Sequence, residues 1–371
     1  MTSLFRPLAL PDFPWDTISG AARTASEHPG GICDLSVGTP VDETPDLGRE
    51  ALIAASDAHG YPLTWGTPAL RHAIRTYLSS RWGAPDVGDH GVLPVIGTKE
   101  LVAWLPTLLG LGSGDTVVIP ATAYPTYAVG AAMVGARVVT ADSPDDVEHE
   151  QPRLVWTNSP SNPTGRVDSA AQTLAWIDYA RSRGALLAAD ECYGEFGWEA
   201  TPVSVLDASL NGGDPTGLVG AYSLSKRSNL AGYRAGFVAG DSAVVSQLLS
   251  VRKHLGMMVP TPVQAAMTVL LGDQGHVDLQ RERYAARRRI LADALTVAGF
   301  RIDHSEAGLY LWATRGESGR ATCEWLATLG ILVAPGDFYG EAGAAHVRVA
   351  LTATNERISA AAARLVSAAA E

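Results

Sequence analysis

The sequence predicts an α/β protein: a large domain with a mixed, mostly parallel seven-stranded sheet flanked by helices, followed by a smaller α+β domain. Two observations carry that expectation. Short β-branched runs alternate with longer helical patterns through the middle of the chain, and beyond residue 275 the alternation gives way to a long Arg-rich helix and closely spaced strands. The chain's 371 residues, 46% of them hydrophobic and 18% charged, suffice to bury the core of about two domains, which excludes a disordered protein.

Residues 1–45 are rich in proline and show no strand-helix unit of their own. They are expected to pack with the smaller domain or to reach across to a partner chain. The large domain is placed at residues 46–275. In TPALRHAIRTYLSSRW, Leu70, Ile74, Tyr77 and Leu78 share one helical face, Thr67 is placed to cap it, and Pro68 sits in its first turn. Strands follow at VLPVIG (92–97), TVVIP (116–120), RVVT (137–140), RLVWTN (153–158) and ALLAAD (185–190). GLVGAYS (217–223) and AGFVAG (235–240) lie closer together, which points to one antiparallel member. The smaller domain, 276–371, reads as a helix over 276–298, RIDHSE, GLYLWAT, a helix near 320–329, ILVAPG, HVRVALT and a closing helix.

The formal charge of -11 argues against sequence-independent nucleic-acid binding, which needs a basic footprint to displace counterions. Any anionic ligand must therefore meet locally placed cations. Cys33, Cys192 and Cys323 are widely spaced and odd in number, so they suggest neither a disulfide framework nor a metal-binding pair, and read as buried thiols of a reducing compartment. No stretch has the roughly 18 apolar residues needed to cross a bilayer, and MTSLFRPLALPDFPWDT has no signal-peptide core. A soluble, cytoplasmic protein is expected.

The chain has only three lysines, Lys99, Lys226 and Lys253. In YSLSKRSNLAGYRAG, Lys226 directly follows a strand. Ser223 and Ser225 precede it, Gly232 and Gly236 permit close backbone approach, and Arg234 adds a charge suited to phosphate. Alone, Lys226 would read as a solvated loop lysine. NSPSNPTGR turns a strand end into a loop at Asn162. LLAADECYGEF places Asp190 and Tyr193 at the C-terminal end of a strand, where open α/β sheets bind ligands, and a carboxylate there needs a cationic partner unless it merely caps the next helix. VIGTKELVAW opens a helix at Thr98 and Lys99 with free N–H groups that suit a phosphate. IPATAYPTYAVG puts Tyr124 beyond another strand end, either to cover a planar heterocycle or to pack in the core. LGLGSGD precedes its strand, so it is no dinucleotide-binding turn.

Taken together, YSLSKRSNLAGYRAG, NPTG, DECY and HVRVALT resemble, in order and approximate spacing, the class I/II pyridoxal-phosphate aminotransferases of fold type I, and the likeness spans nearly the whole chain. The resemblance implies a pyridoxal 5'-phosphate cofactor joined to Lys226 as a Schiff base, with Lys226 then shuttling the proton at the substrate's α-carbon. It implies that Asp190 pairs with the ring nitrogen, that Asn162 and Tyr193 bond the phenolic oxygen, and that Tyr124 stacks on the ring. Thr98, Lys99, Ser223, Ser225 and Arg234 would surround the phosphate, Thr98 and Lys99 chiefly through backbone N–H groups. Tyr61 matches a tyrosine that reaches the neighbouring subunit's cofactor, which implies a homodimer with shared sites. Arg348 matches the fork that grips the substrate α-carboxylate, and Gly38 the backbone beside it. No metal is implied.

LPDFPWDT, GTKELVAWLPTLLGLG, VRKHLGMMVP and SEAGLYLWAT are most similar to the actinobacterial-type N-succinyldiaminopimelate aminotransferases of lysine biosynthesis. That likeness implies exchange of an amino group between glutamate and a succinylated amino-oxopimelate, both small amino and 2-oxo acids. A second carboxylate needs another cation, for which Arg6, Arg23, Arg227, Arg252 and Lys253 are candidates. Another amino-acid aminotransferase or a C–S lyase on the same fold is the alternative. A ligand-sensing regulator is more remote, since no basic helix-turn-helix segment is present.

Overall fold

The computed structural model describes residues 10–370. Its strands are β1 (Cys33–Asp34), β2 (Val92–Ile96), β3 (Thr116–Ile119), β4 (Arg137–Thr140), β5 (Leu154–Asn158), β6 (Leu186–Asp190), β7 (Leu218–Ser223), β8 (Ala235–Gly240), β9 (Arg301–Asp303), β10 (Tyr310–Thr314), β11 (Ile331–Leu332), β12 (Ala334–Pro335) and β13 (Val347–Ala350). Seven of them form one sheet in the order β2-β8-β7-β6-β5-β3-β4. The stretch from β7 to β4 is parallel and β8 runs antiparallel to both its neighbours, as the short β7–β8 connection requires.

Strands β5, β6 and β7 are buried at every position because helices cover both faces, which is why they read as continuous apolar runs and not as an alternation. The Pro68–Trp82 helix packs on one face. Thr67 Oγ1 accepts from the Leu70 N–H at 3.1 Å, a cap worth about 1 kcal/mol, and Gly83 closes the helix in the left-handed conformation. On the other face lies the Thr98–Leu108 helix, whose Leu101, Val102 and Leu105 are buried.

The smaller antiparallel sheet, β12-β13-β10-β9, shares a core with the helices Gly275–Val297 and Asn355–Ala369. The N-terminal segment differs from the expectation that it holds no strand-helix unit. It contains the helix Ser19–Ser26 and β1, which pairs parallel with β11. Both elements escape pattern reading for a physical reason: the helix buries only Ala25, and two residues show no period. Ile18, Ala25, Cys33 and Leu35 join the core around β10 and β13.

Candidate active site

The C-terminal ends of β5, β6 and β7 open into a cavity of about 700 Å³, closed from the other side by the N-terminal segment and by β10 and β13. Gly38, Thr98, Lys99, Tyr124, Asn162, Asp190, Tyr193, Ser223, Ser225, Lys226, Arg234 and Arg348 all line it. Of the residues expected at the site only Tyr61 is absent from this wall, standing 98% exposed on the surface.

Lys226 sits on the four-residue helix Leu224–Arg227 that β7 feeds directly. Its Nζ donates to the Gly38 carbonyl, and burial lowers its pKa below that of an ordinary lysine. Gly38 has no room for a side chain, since a Cβ would collide with the Tyr310 hydroxyl.

Asp190 ends β6 and is buried at 7% exposure. Its Oδ2 accepts from the Tyr127 hydroxyl at 2.9 Å and its Oδ1 from the Cys192 N–H at 3.2 Å. Among the described residues no cation pairs with it, and burial raises its pKa. A carboxylate so placed calls for a cationic ligand. Asn158 holds the strand end from the next strand, its Nδ2 donating to the Asp190 carbonyl at 2.9 Å while its Oδ1 accepts from the Asn162 N–H at 2.8 Å.

The Thr98–Leu108 helix begins at Gly97, at φ 76°, with no side-chain cap. Arg234, itself at φ 57°, lays its guanidinium where a Gly97 Cβ would lie, and it has no carboxylate partner among the described residues. Free N–H groups, the positive end of a helix dipole and an unpaired guanidinium together make an anion site.

Arg348 is 2% exposed on β13, so it is no surface strand arginine. Nη1 donates to Asn162 Oδ1 at 2.8 Å and Nη2 to the Ser36 carbonyl at 2.6 Å, and the guanidinium lies 4.0 Å from the Tyr310 ring centroid. With the Asn162 oxygen thus engaged, its amide N–H₂ remains free to donate into the cavity. The hydroxyls of Tyr193 and Tyr310 are 2.9 Å apart. Tyr124 forms a further wall, its pKa raised to about 12 by burial.

These groups fit pyridoxal phosphate: a buried acid without a cationic partner among the described residues for a pyridinium nitrogen, an anion site for a phosphate, and an amine and tyrosines lining the same cavity. Sequence reading missed Tyr310, Tyr127, Asn158 and Cys192, as well as Phe13 and Trp15, which line the cavity from the N-terminal segment. Tyr127 stands three residues after Tyr124, and Phe13, Trp15, Cys192 and Tyr310 lie inside segments the sequence singled out, but nothing local marked their side chains as cavity walls.

The cations weighed for a second carboxylate fare differently. Arg252 is fully buried and paired through both terminal nitrogens with Glu100, at 2.8 and 3.0 Å. Arg227 is buried 3.4 Å from Glu195. Arg23 and Lys253 do not line the cavity, and Arg6 lies outside the described residues. Among the described residues, the lining cations are Lys226, Arg234 and Arg348, already placed above, and the Lys99 side chain, whose Nζ lies 5.5 Å from the Phe13 ring centroid. The three cysteines are free. Among the described residues no helix is long and apolar enough to cross a membrane and no cluster of metal ligands occurs.

The sequence profile of the family described as aminotransferase class I and II matches residues 31–365. A probable aminotransferase of Mycobacterium tuberculosis is 58% identical over 357 residues, covering 96% of this chain and 85% of its own length. The 4-dedimethylamino-4-oxo-anhydrotetracycline transaminase OxyQ of Streptomyces rimosus is 56% identical, covering 96% and 99%. An LL-diaminopimelate aminotransferase of Dehalococcoides mccartyi is 30% identical, covering 88% of each chain. Among solved structures, an aminotransferase of Neisseria meningitidis superposes with a TM-score of 0.88 at 29% identity, covering 97% of this chain and 98% of its own.

Proposed function

Because the chain belongs to the class I and II aminotransferases, enzymes that use pyridoxal phosphate to move an amino group between amino and 2-oxo acids, we propose a role for each residue of the cavity. Pyridoxal phosphate, when bound, supplies an electron sink for negative charge at the substrate's α-carbon. Lys226 holds it covalently and, once released, moves the α-proton; burial suits this amine to act as a neutral base. Asp190 keeps the ring nitrogen protonated, while Asn162 and Tyr193 donate to the phenolic oxygen and Tyr124 covers the ring. Thr98 and Lys99 hold the phosphate through backbone N–H groups, with Ser223, Ser225 and Arg234 around it. Arg348 binds the α-carboxylate beside the Gly38 backbone. Tyr61, exposed in one chain, reaches the cofactor of a second copy in a homodimer. Residues 1–45 and 276–371 act together as the smaller domain, and the enzyme works in the cytoplasm.

The observation that carries the reading is the convergence of a buried amine, an unpaired buried carboxylate and a buried guanidinium on one cavity.

For the substrate we propose N-succinyl-LL-2,6-diaminopimelate with 2-oxoglutarate as acceptor. The likeness of LPDFPWDT and SEAGLYLWAT supports this, and Lys99 takes the distal carboxylate in place of the arginines and Lys253 weighed from sequence. A second reading, an aromatic polycyclic ketone as acceptor, is favoured by the Phe13 and Trp15 wall and by the identity to OxyQ.

The test is glutamate-coupled turnover over a panel containing succinylated and free diaminopimelate, acetylornithine, aspartate, aromatic amino acids and an anhydrotetracycline ketone. Preference for the succinylated compound, weakened in Lys99→Met, supports the first reading; preference for another member displaces it. Pyruvate released from cystathionine without any keto-acid acceptor would instead mark a C–S lyase.

A further inference from the structure

Ser228 directly follows the short helix that carries Lys226, its N–H closing on the Leu224 carbonyl at 3.1 Å. Its Oγ lies 2.8 Å from Nε2 of His276, at the start of the long Gly275–Val297 helix. Nδ1 of the same ring lies 2.6 Å from Asp273 Oδ2, an oxygen that also accepts from the His276 N–H at 3.1 Å. The order Asp-His-Ser is that of a hydrolytic triad, yet Ser228 is 0% exposed, so no acyl group can reach its hydroxyl. The constellation must serve another purpose.

Its geometry sets one polarity. Asp273 fixes the ring proton on Nδ1, which leaves the Nε2 lone pair to accept from Ser228. Arg227, immediately after Lys226, is buried 3.4 Å from Glu195 and 4.8 Å from the Tyr77 ring centroid, so the residue before Ser228 is also held in a buried polar setting. The next residue continues the pattern. Asn229, at φ 51°, donates through Nδ2 to Gln280 Oε1 at 3.0 Å, one turn beyond His276, and to the Glu43 carbonyl at 3.1 Å. The Glu43 segment leads back to Gly38, whose carbonyl accepts from Lys226. Two successive residues behind the lysine are thus tied to one face of one helix and to the strand of chain its amine touches.

We propose that Asp273, His276 and Ser228 form a positioning relay for Lys226, fixing the turn from which its amine reaches the cavity. The relay makes no bond to substrate. It rests on Lys226 being the proton-moving residue named above. A loose turn would leave substrate binding at Arg348 intact while misplacing the amine, so the effect falls on kcat and not on KM.

The experiment compares holoenzyme variants Ser228→Ala, His276→Phe and His276→Gln, measuring kcat, KM for the amino donor, and amide hydrogen exchange across residues 224–230. Ser228→Ala and His276→Phe should each lower kcat about tenfold with KM changed less than about twofold, the rate equivalent of one lost hydrogen bond. Exchange at the Ser228 and Leu230 amides should quicken. His276→Gln, whose amide oxygen accepts from Ser228, should recover most of the loss. Wild-type kcat in a folded Ser228→Ala protein, or unchanged local exchange, overturns the relay. If His276→Phe fails to fold, Ser228→Ala decides the matter by itself. Lys226→Ala separates the two levels of argument: if it keeps turnover, the assignment of the lysine fails, whereas its inactivity beside fully active relay variants sinks the relay only.

Discussion

Arg348→Lys isolates the recognition of the substrate's α-carboxylate. The native guanidinium is 2% exposed, bonded at 2.8 Å to Asn162 and 2.6 Å to Ser36, and 4.0 Å from the Tyr310 ring centroid. An ammonium keeps the charge but cannot present two parallel N–H donors or lie flat on the ring. Losing one charge-assisted hydrogen bond costs about 1.5–3 kcal/mol and losing the stacked cation roughly 1 kcal/mol more. The sum of about 2.5–4 kcal/mol corresponds to a fall in kcat/KM for the amino donor of roughly 70- to 900-fold. Steady-state kinetics measures that fall, and visible absorbance of the bound cofactor supplies the control. Asn162 is the only proposed cofactor contact that bonds Arg348, so the cofactor should stay bound. Wild-type kcat/KM in the variant, or cofactor loss with unaltered donor affinity, would refute the assignment.

Asp190→Asn should cut turnover at least about 100-fold, because the ring nitrogen loses its anionic partner; the cofactor-free protein should melt no lower, since an unpaired buried acid is removed. Equal activity, or a melting point that drops sharply without cofactor, would contradict this. Gly38→Ala forces a Cβ onto the Tyr310 hydroxyl and shifts the carbonyl that meets Lys226, so kcat should fall about tenfold or more, and a crystal structure of the variant should show Tyr310 displaced. Glu191 is buried with its pKa pushed up to about 7 from 4.5, chiefly by desolvation. Its folded pKa is the higher one, so its contribution is complete below pH 4.5 and is lost as pH rises through about 7, a change of about 3 kcal/mol. Denaturant titration of Glu191→Gln should show a flatter stability profile across that window, and a parallel one would be the contrary result.

The large sheet and its antiparallel β8 were legible because each strand is a local run whose character follows from burial on both faces. The same holds for the Thr67-capped helix. β1 was not, since a two-residue strand exists only by virtue of its partner, here some 300 positions away. Of the residues expected at the site, Lys226, Asp190 and Asn162 stand in runs of constrained neighbours at or just beyond strand ends, and Arg348 stands within a strand, which is why local reading could single them out. It could not single out Tyr310 and Tyr127. Their importance is the proximity of a hydroxyl to Tyr193 or Asp190, across 117 and 63 residues respectively.

Local chemistry along the chain marked strand ends and helix starts suited to phosphate or to an ionised ligand, while the pairings of Asp190 with a ring nitrogen and of Arg348 with a carboxylate came from the family resemblance. Packing alone decided which cations remain open to a substrate. Arg227 and Arg252 look as available as Arg348 when written in a row, but Glu195 and Glu100 neutralise the first two in buried pairs, while Arg348 bonds only an amide oxygen and a carbonyl and keeps its charge unbalanced. Coulomb interactions depend on separation in space, which linear order does not encode.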